Sequence, residues 1–245
     1  MGYFWQKLWA KNYLLEVFNF VLVKNACTRK RLVLKYQYMD KKTAKRIVQT
    51  LSLVYENKPA LKYSSAYELL IAVILSAQCT DERVNRVTAK LFEKYNTPEK
   101  MLNLKKEELE KYIFSCGLYK TKAKNILSAS KDIIEKFGGQ VPNNLKDLQS
   151  LAGVGRKTAN VVYSVAFGGD AIAVDTHVFR VANRIGLSKA STPLGVEKAL
   201  MNILDKKDWS SSHHFLIYLG RNQCKSQKPK CESCSIKCLC EKNIR

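Results

Sequence analysis

The sequence predicts an all-α fold, on three observations. From residue 40 onward apolar side chains recur three and four positions apart, the period of a helix with one buried face. Ser, Thr, Asp and Asn precede these runs, while Gly and Pro close them. No run alternates apolar and polar residues over a strand's length, and no repeat of roughly 20–50 residues is present. Ile47, Leu51 and Val54 form one face of a first helix, ended by Pro59. Ser64 or Ser65 caps the second, in which Leu69 to Leu75 is apolar on nearly every side and so must be buried. Thr80 or Asp81 starts a third helix carrying Val84, Val87, Leu91 and Phe92, stopped by Asn96 and Pro98. Short helices follow near 98–103 and 106–115; Gly117 then breaks the pattern before a longer helix over 119–136, which Gly138-Gly139 terminates. Pro142 leads into a short helix at 145–150, a turn at 151–155 and a helix from Arg156 to about Phe167, closed by Gly168-Gly169. Asp175 or Thr176 begins the next, which ends near Gly186. Thr192-Pro193 begins another, with Pro in the first turn where its missing N–H costs nothing. The last helix runs from Ser211 to Asn222.

Composition narrows the function classes. The 245 residues can bury a real core, and their formal charge is +21, from 42 Lys and Arg against 21 Asp and Glu. Removing residues 1–38, which hold seven basic and one acidic side chain, still leaves +15. A basic surface of that size attracts polyanions, of which nucleic acid is the commonest. The apolar run Leu14 to Val23 is ten residues long and interrupted by Glu16 and Asn19, too short and polar to span a bilayer. Asn25-Ala26-Cys27 is a poor signal-cleavage site. Residues 1–38 are read as an appendage outside the core fold, or as sequence upstream of a native start at Met39; the intact mass of the protein made in its own cells separates the two.

The segment Leu151-Ala152-Gly153-Val154-Gly155-Arg156-Lys157-Thr158-Ala159 joins two helices through a glycine hairpin. Its glycines leave no side chain between backbone amides and a ligand, so the hairpin can grip a phosphate backbone without reading bases. The same spacing also serves a plain interhelical turn. Lys157 falls in the first turn of the following helix, where the helix dipole opposes the ammonium form and favours a nucleophilic amine. Most lysines of so basic a chain only meet phosphate or solvent. Eighteen residues on, Asp175 follows the apolar Ala171-Ile172-Ala173-Val174. It can cap a helix, and it can equally stabilise positive charge on a sugar and move protons.

Five of the eight cysteines lie between Cys224 and Cys240. That clustering favours a metal site in a reducing compartment over a disulfide framework. Four thiolates suit zinc or an iron–sulfur centre. One Cys-x-x-Cys with two flanking singles speaks mildly against an ordinary zinc ribbon. His177, His213 and His214 are not needed for metal, and His213 and His214, adjacent on a helix, do not easily face one ligand.

Leu151 to Val162 and Val174 to Arg184 resemble the helix-hairpin-helix DNA glycosylases, closest to the endonuclease III family, and the resemblance extends over nearly all of residues 40–240. Ala152 replaces the usual proline after the first hairpin leucine, leaving both glycines intact. The resemblance implies two helical domains, residues 59–170 as a six-helix barrel with the hairpin, and 39–58 plus 171–245 as an iron–sulfur domain. It implies a bifunctional DNA glycosylase and abasic-site lyase for oxidised pyrimidines, with Lys157 as Schiff-base nucleophile and Asp175 as catalytic carboxylate. Gln78, in Leu75-Ser76-Ala77-Gln78-Cys79-Thr80-Asp81, falls where the family fills the space left by a flipped nucleotide. Leu118, in Gly117-Leu118-Tyr119, falls at the wedge that enters the base stack. Gly153, Gly155, Arg156 and His177 are the further DNA-contact candidates. Gaps of six, two and five residues through Cys224, Cys231, Cys234 and Cys240 match the family's loop for one [4Fe–4S] cluster per chain. Cys238 is left as a spare thiol and as the rival fourth ligand, and Lys225, Lys228, Lys230 and Lys237 are expected to meet phosphate. The expected partner is double-stranded DNA with a damaged base or abasic site, bound by a monomer in a bacterial cytoplasm, with no membrane. Lys157 and the chain's end at Arg245 speak against the adenine-mismatch branch, and the thymine-mismatch branch carries tyrosine at the lysine position. An architectural DNA binder without chemistry would need neither Lys157 nor Asp175 in these places.

Overall fold

Eleven α-helices and one 3-10 turn make up the described residues, 39–244, of the computed structural model, with no strand among them. The expectations for residues 1–38 lie outside the described residues. In chain order the helices are α1 (Lys41–Ser52), α2 (Ala66–Ser76), α3 (Asp81–Phe92), α4 (Pro98–Leu102), α5 (Lys106–Ile113), α6 (Tyr119–Phe137), α7 (Leu145–Ser150), α8 (Arg156–Ala166), α9 (Thr176–Ile185), α10 (Pro193–Ile203) and α11 (Trp209–Asn222).

Side-chain caps fix most of the starts. Asp40, Ser65, Thr80, Thr97, Asn144, Asp175 and Thr192 each accept a hydrogen bond from an amide three residues on. Such a cap contributes about 1 kcal/mol. At α2 the rival serines divide the work: Ser65 caps the Glu68 amide, and the Ser64 amide donates back to the Glu68 carboxylate at 2.6 Å. Gly138 closes α6 in the left-handed conformation, φ 61°, with the Gly139 amide returning to the Ile133 carbonyl.

Two boundaries differ from those the sequence predicts. α1 stops at Ser52, well short of Pro59, and Leu53 is 83% exposed with Val54 also exposed. The amides of Val54 and Tyr55 both turn back to the Leu51 carbonyl, and the Tyr55 ring leaves the helix to stack on Tyr218 of α11, centroids 6.0 Å apart. Val54 is therefore off the buried face. α11 begins at Trp209 rather than Ser211, because the 3-10 turn Lys206–Asp208 feeds directly into it.

The buried side chains fall into separate clusters. Leu70, Ile71, Leu75, Leu91, Met101, Ile126 and Ile133 belong to one built from α2 to α8. Ile47 and Leu51 of α1 join Val178, Val181, Leu200, Leu216, Leu219 and Ile236 in a second. A small third cluster, Leu69, Val73, Val161 and Ala173, lies between them. It explains why α2 is buried on nearly every side: one face serves the first core and the other the seam. Across the same division Arg156 of α8 makes a bidentate pair with the buried Glu197 of α10, at 2.9 and 2.7 Å.

Removing the guanidinium strands a buried carboxylate, which costs about 1–3 kcal/mol. Arg156→Ala is expected to lower the unfolding free energy by that amount, and Arg156→Ala/Glu197→Gln to recover part of it, read by denaturant melts.

Candidate active site and cysteine cavity

The turn 151–155 is pinned by its apolar members: Leu151 and Val154 are buried, and the Val154 amide bonds the Leu151 carbonyl at 3.1 Å. Gly153 has φ +78°, and a Cβ there would meet Asn125 side-chain atoms at 2.9 Å, so both conformation and space demand glycine. A Cβ on Gly155 would meet nothing within 4 Å. Gly155 supplies no side-chain cap, so the first amides of α8 stand at an exposed corner with the helix dipole behind them. That corner is suited to an anion. Lys157 projects from it, exposed, into a cleft of about 660 Å³ that Gln78, Asp81, Asp175, His177 and Arg221 also line. The volume lies within the roughly 300–1,000 Å³ of ordinary small-molecule sites.

Asp175 lines the same cleft as Lys157. It is half-buried and is the N-cap of α9, its Oδ1 accepting from the Val178 amide at 2.8 Å, and Thr176 is the first helical residue. The cap fixes the carboxylate's direction, so capping leaves room for a chemical role in the same residue. A deeper recess of about 80 Å³ opens between Lys157, Asp175, His213 and His214. At its floor His213 is buried, with Nδ1 2.8 Å from the Ala173 carbonyl. A carbonyl can only accept, so Nδ1 carries the proton and Nε2 keeps its lone pair. Burial, reinforced by neighbouring His214 and opposed by Asp175, drives the His213 pKa down from 6.5 to about 3. Nothing in the sequence marks this histidine; its place behind Lys157 and Asp175 is recognisable only once the Ala173 carbonyl is set against it.

The remaining candidates divide. Gln78 (φ 53°) and Leu118 (φ 57°) are both exposed and both in the left-handed region. Holding a non-glycine residue there costs roughly 1–3 kcal/mol, a strain that concentrates at functional positions. His177 lines the cleft, but its Nδ1 lies 3.2 Å from Arg180 Nη2. Burial lowers its pKa, with Asp175 opposing that shift and Arg180 and Arg221 adding to it. The guanidinium of Arg156 is taken up by Glu197. Arg221, unremarked in the sequence, pairs with Asp81 at 2.7 Å on the cleft wall and joins α11 to α3.

Cys224, Cys231, Cys234 and Cys240 line one cavity, closed from beneath by Leu219 and Ile236. Among the described residues no group of three or more His, Cys, Asp or Glu is arranged to hold a metal ion. The four thiols nevertheless sense one another. Burial, then the proximity of Cys234, Cys224 and Cys231, pushes the Cys240 thiol up to about 11, against a lowering hydrogen bond from the Lys242 amide. Two arginines of α9 fasten the loop. Arg180 donates to the Gly220 and Cys224 carbonyls at 3.0–3.2 Å, and Arg184 to those of Lys225 and Ser226 at 2.6 and 2.9 Å. Arg184 Nη1 also lies 3.9 Å from Cys224 Sγ. The donor set thus fits a thiolate-bound centre, with cationic groups beside it to offset its negative charge. Cys238 is exposed on the same loop. Lys225, Lys228 and Lys230 are exposed around the loop, whereas Lys237 pairs with Glu232.

Residues 71–206 match the family model of the HhH-GPD superfamily of base excision DNA repair proteins. Endonuclease III of Bacillus subtilis is 55% identical over 181 residues, 74% of this chain and 83% of the relative. Endonuclease III of Escherichia coli K12 is 46% identical over 202 residues, 81% and 95% of the two chains. A trapped endonuclease III–DNA covalent intermediate superposes with a TM-score of 0.78 at 48% identity, covering 82% of this chain and 96% of that one. A thermostable thymine-DNA glycosylase gives 0.74 at 28% identity, covering 82% and 96%.

The buried imidazole makes a pH prediction. Above about 6.5 neither folded nor unfolded chain protonates this histidine; below it the unfolded chain binds a proton that the folded one refuses until about 3. Stability should therefore fall as pH drops from 6.5 towards 3, with His214, also lowered by burial, adding the same sign. His213→Gln should flatten that limb in denaturant melts run across the pH range.

Proposed function

The chain belongs to the endonuclease III family, within the HhH-GPD superfamily of base excision DNA repair proteins, and we propose how its residues divide that family's work. It is a bifunctional DNA glycosylase and abasic-site lyase acting on oxidised pyrimidines in duplex DNA. The observation that carries the assignment of roles is the shared cleft, lined both by an exposed amine on a helix start and by a capped carboxylate.

The hairpin amides at Gly153 and Gly155 take the phosphate backbone, and the damaged nucleotide turns out of the stack into the cleft. Opening the duplex costs a few kcal/mol, part of which Gln78 and Leu118 return by filling the space left behind. Lys157 Nζ, freed of a proton, attacks C1′ with its lone pair as the C1′–N bond breaks and the base leaves with that bond's electrons. Asp175 stabilises the positive charge that develops on the sugar and moves protons as the ring opens to a Schiff base. Loss of a C2′ proton and departure of the 3′ phosphate then nick the strand. The neutral His213, tied to Ala173 behind Asp175, keeps the floor of the cleft uncharged.

Cys224, Cys231, Cys234 and Cys240 would hold a [4Fe–4S] cluster, whose contribution is to fold the loop and present its exposed lysines to phosphate. In this reading residues 59–170 form a barrel domain and 39–58 plus 171–245 a cluster domain, supported by their separate apolar cores. We read the protein as a monomer, and its bacterial relatives support a cytoplasmic, DNA-associated location.

Incision of a duplex with one thymine glycol, run with borohydride, tests the roles. The wild type is expected to nick and to become trapped on DNA, and Lys157→Gln to lose both; base release without nicking would demote Lys157. For the loop, iron and acid-labile sulfide should co-purify at about four each per chain and disappear in Cys231→Ser. Their absence from anaerobically prepared wild type would refute the cluster.

A further inference from the structure

Lys122 is an unusual lysine: it is 4% exposed. Its Nζ donates to the Leu75 carbonyl at 2.8 Å and to the Ala77 carbonyl at 2.7 Å. Those carbonyls belong to the last turn and the C-cap of α2, so the ammonium satisfies groups the helix leaves open, at the end where the dipole favours a cation. The next residue is Gln78. The backbone of Lys122 does a second job, for its amide donates to the Leu118 carbonyl at 3.0 Å. One residue thus holds, through its side chain, the loop that carries Gln78 and, through its amide, the turn that carries Leu118. Other contacts close the same joint. A Cβ on Gly117 would lie 3.5 Å from the Gln78 carbonyl, and Arg83 reaches from α3 to the Ser115 carbonyl at 3.3 Å.

We propose that Lys122 is a positioning residue that locks Gln78 and Leu118 into one rigid unit, so that both enter the duplex together. The proposal rests on the reading of those two residues as the ones that fill and wedge the opened base pair. Each is held in the left-handed region, a conformation that persists only where the surrounding structure over-determines it. A buried cation spent on two main-chain carbonyls is what keeps both in place.

The test compares two reactions that share the Lys157 chemistry. Excision of thymine glycol from a duplex requires a base pair to be opened; cleavage at an abasic site in a single strand does not. In Lys122→Met, with folding verified by circular dichroism and melting, the ratio of the first rate to the second should fall roughly tenfold to a hundredfold, the usual effect of a misplaced positioning group. An equal loss of both rates, or no loss, overturns the proposal. Gln78→Ala and Leu118→Ala run alongside. If their ratios fall and that of Lys122→Met does not, the two residues insert but Lys122 does not position them. If theirs do not fall, the insertion reading fails and takes this proposal with it. Should Lys122→Met not fold, Lys122→Gln, whose amide can serve one of the two carbonyls, supplies the same ratio.

Discussion

The short extended connection Ala171 to Val174 runs buried between two bodies of helices, and its backbone polar groups must find partners without water. Asn160 of α8 donates to the Ile172 carbonyl at 3.0 Å from one side, and His213 of α11 to the Ala173 carbonyl at 2.8 Å from the other. Two successive peptides are thereby clamped by side chains from opposite halves of the molecule. Asp175 comes directly after the clamped segment, and its carboxylate reaches the Val178 amide and starts α9.

The clamp also decides where the cleft lies. α8 supplies Asn160 to the clamp and Lys157 to the cleft one turn earlier, so the amine and the carboxylate are placed by the same pair of helices. The carboxylate has an amide as its hydrogen-bond donor and does not depend on Lys157 for one. The Arg156–Glu197 pair and the Arg221–Asp81 pair cross between the halves on either side.

Much of this is legible in the sequence, for identifiable reasons. Helix starts are local events, so Thr192 can be read as it stands, and where Ser64 competes with Ser65 or Asp175 with Thr176 a single hydrogen bond decides. The apolar run of α2 announces its burial. Val54 misleads because the stacking of Tyr55 on Tyr218, a contact across most of the chain, ends α1 early. Arg156 reads as a phosphate contact from its place in the hairpin, yet its partner is Glu197, forty-one positions away. Lys122 is one of 42 basic residues and nothing nearby in sequence separates it from the rest. His213, Asn160 and Lys122 share a property: each serves a backbone carbonyl distant in sequence, and carbonyls carry no signature in an amino-acid string.

The central claim is that the amine entering the cleft from the head of α8 forms the covalent bond to DNA. The most direct measurement is peptide mapping, by mass spectrometry, of the borohydride-reduced complex after digestion of protein and DNA. The account predicts a reduced sugar remnant on the peptide containing Lys157 and on that side chain. A remnant on any other lysine, or on the amino terminus, would contradict it, because among the described residues Lys157 is the amine that lines the cleft with Asp175.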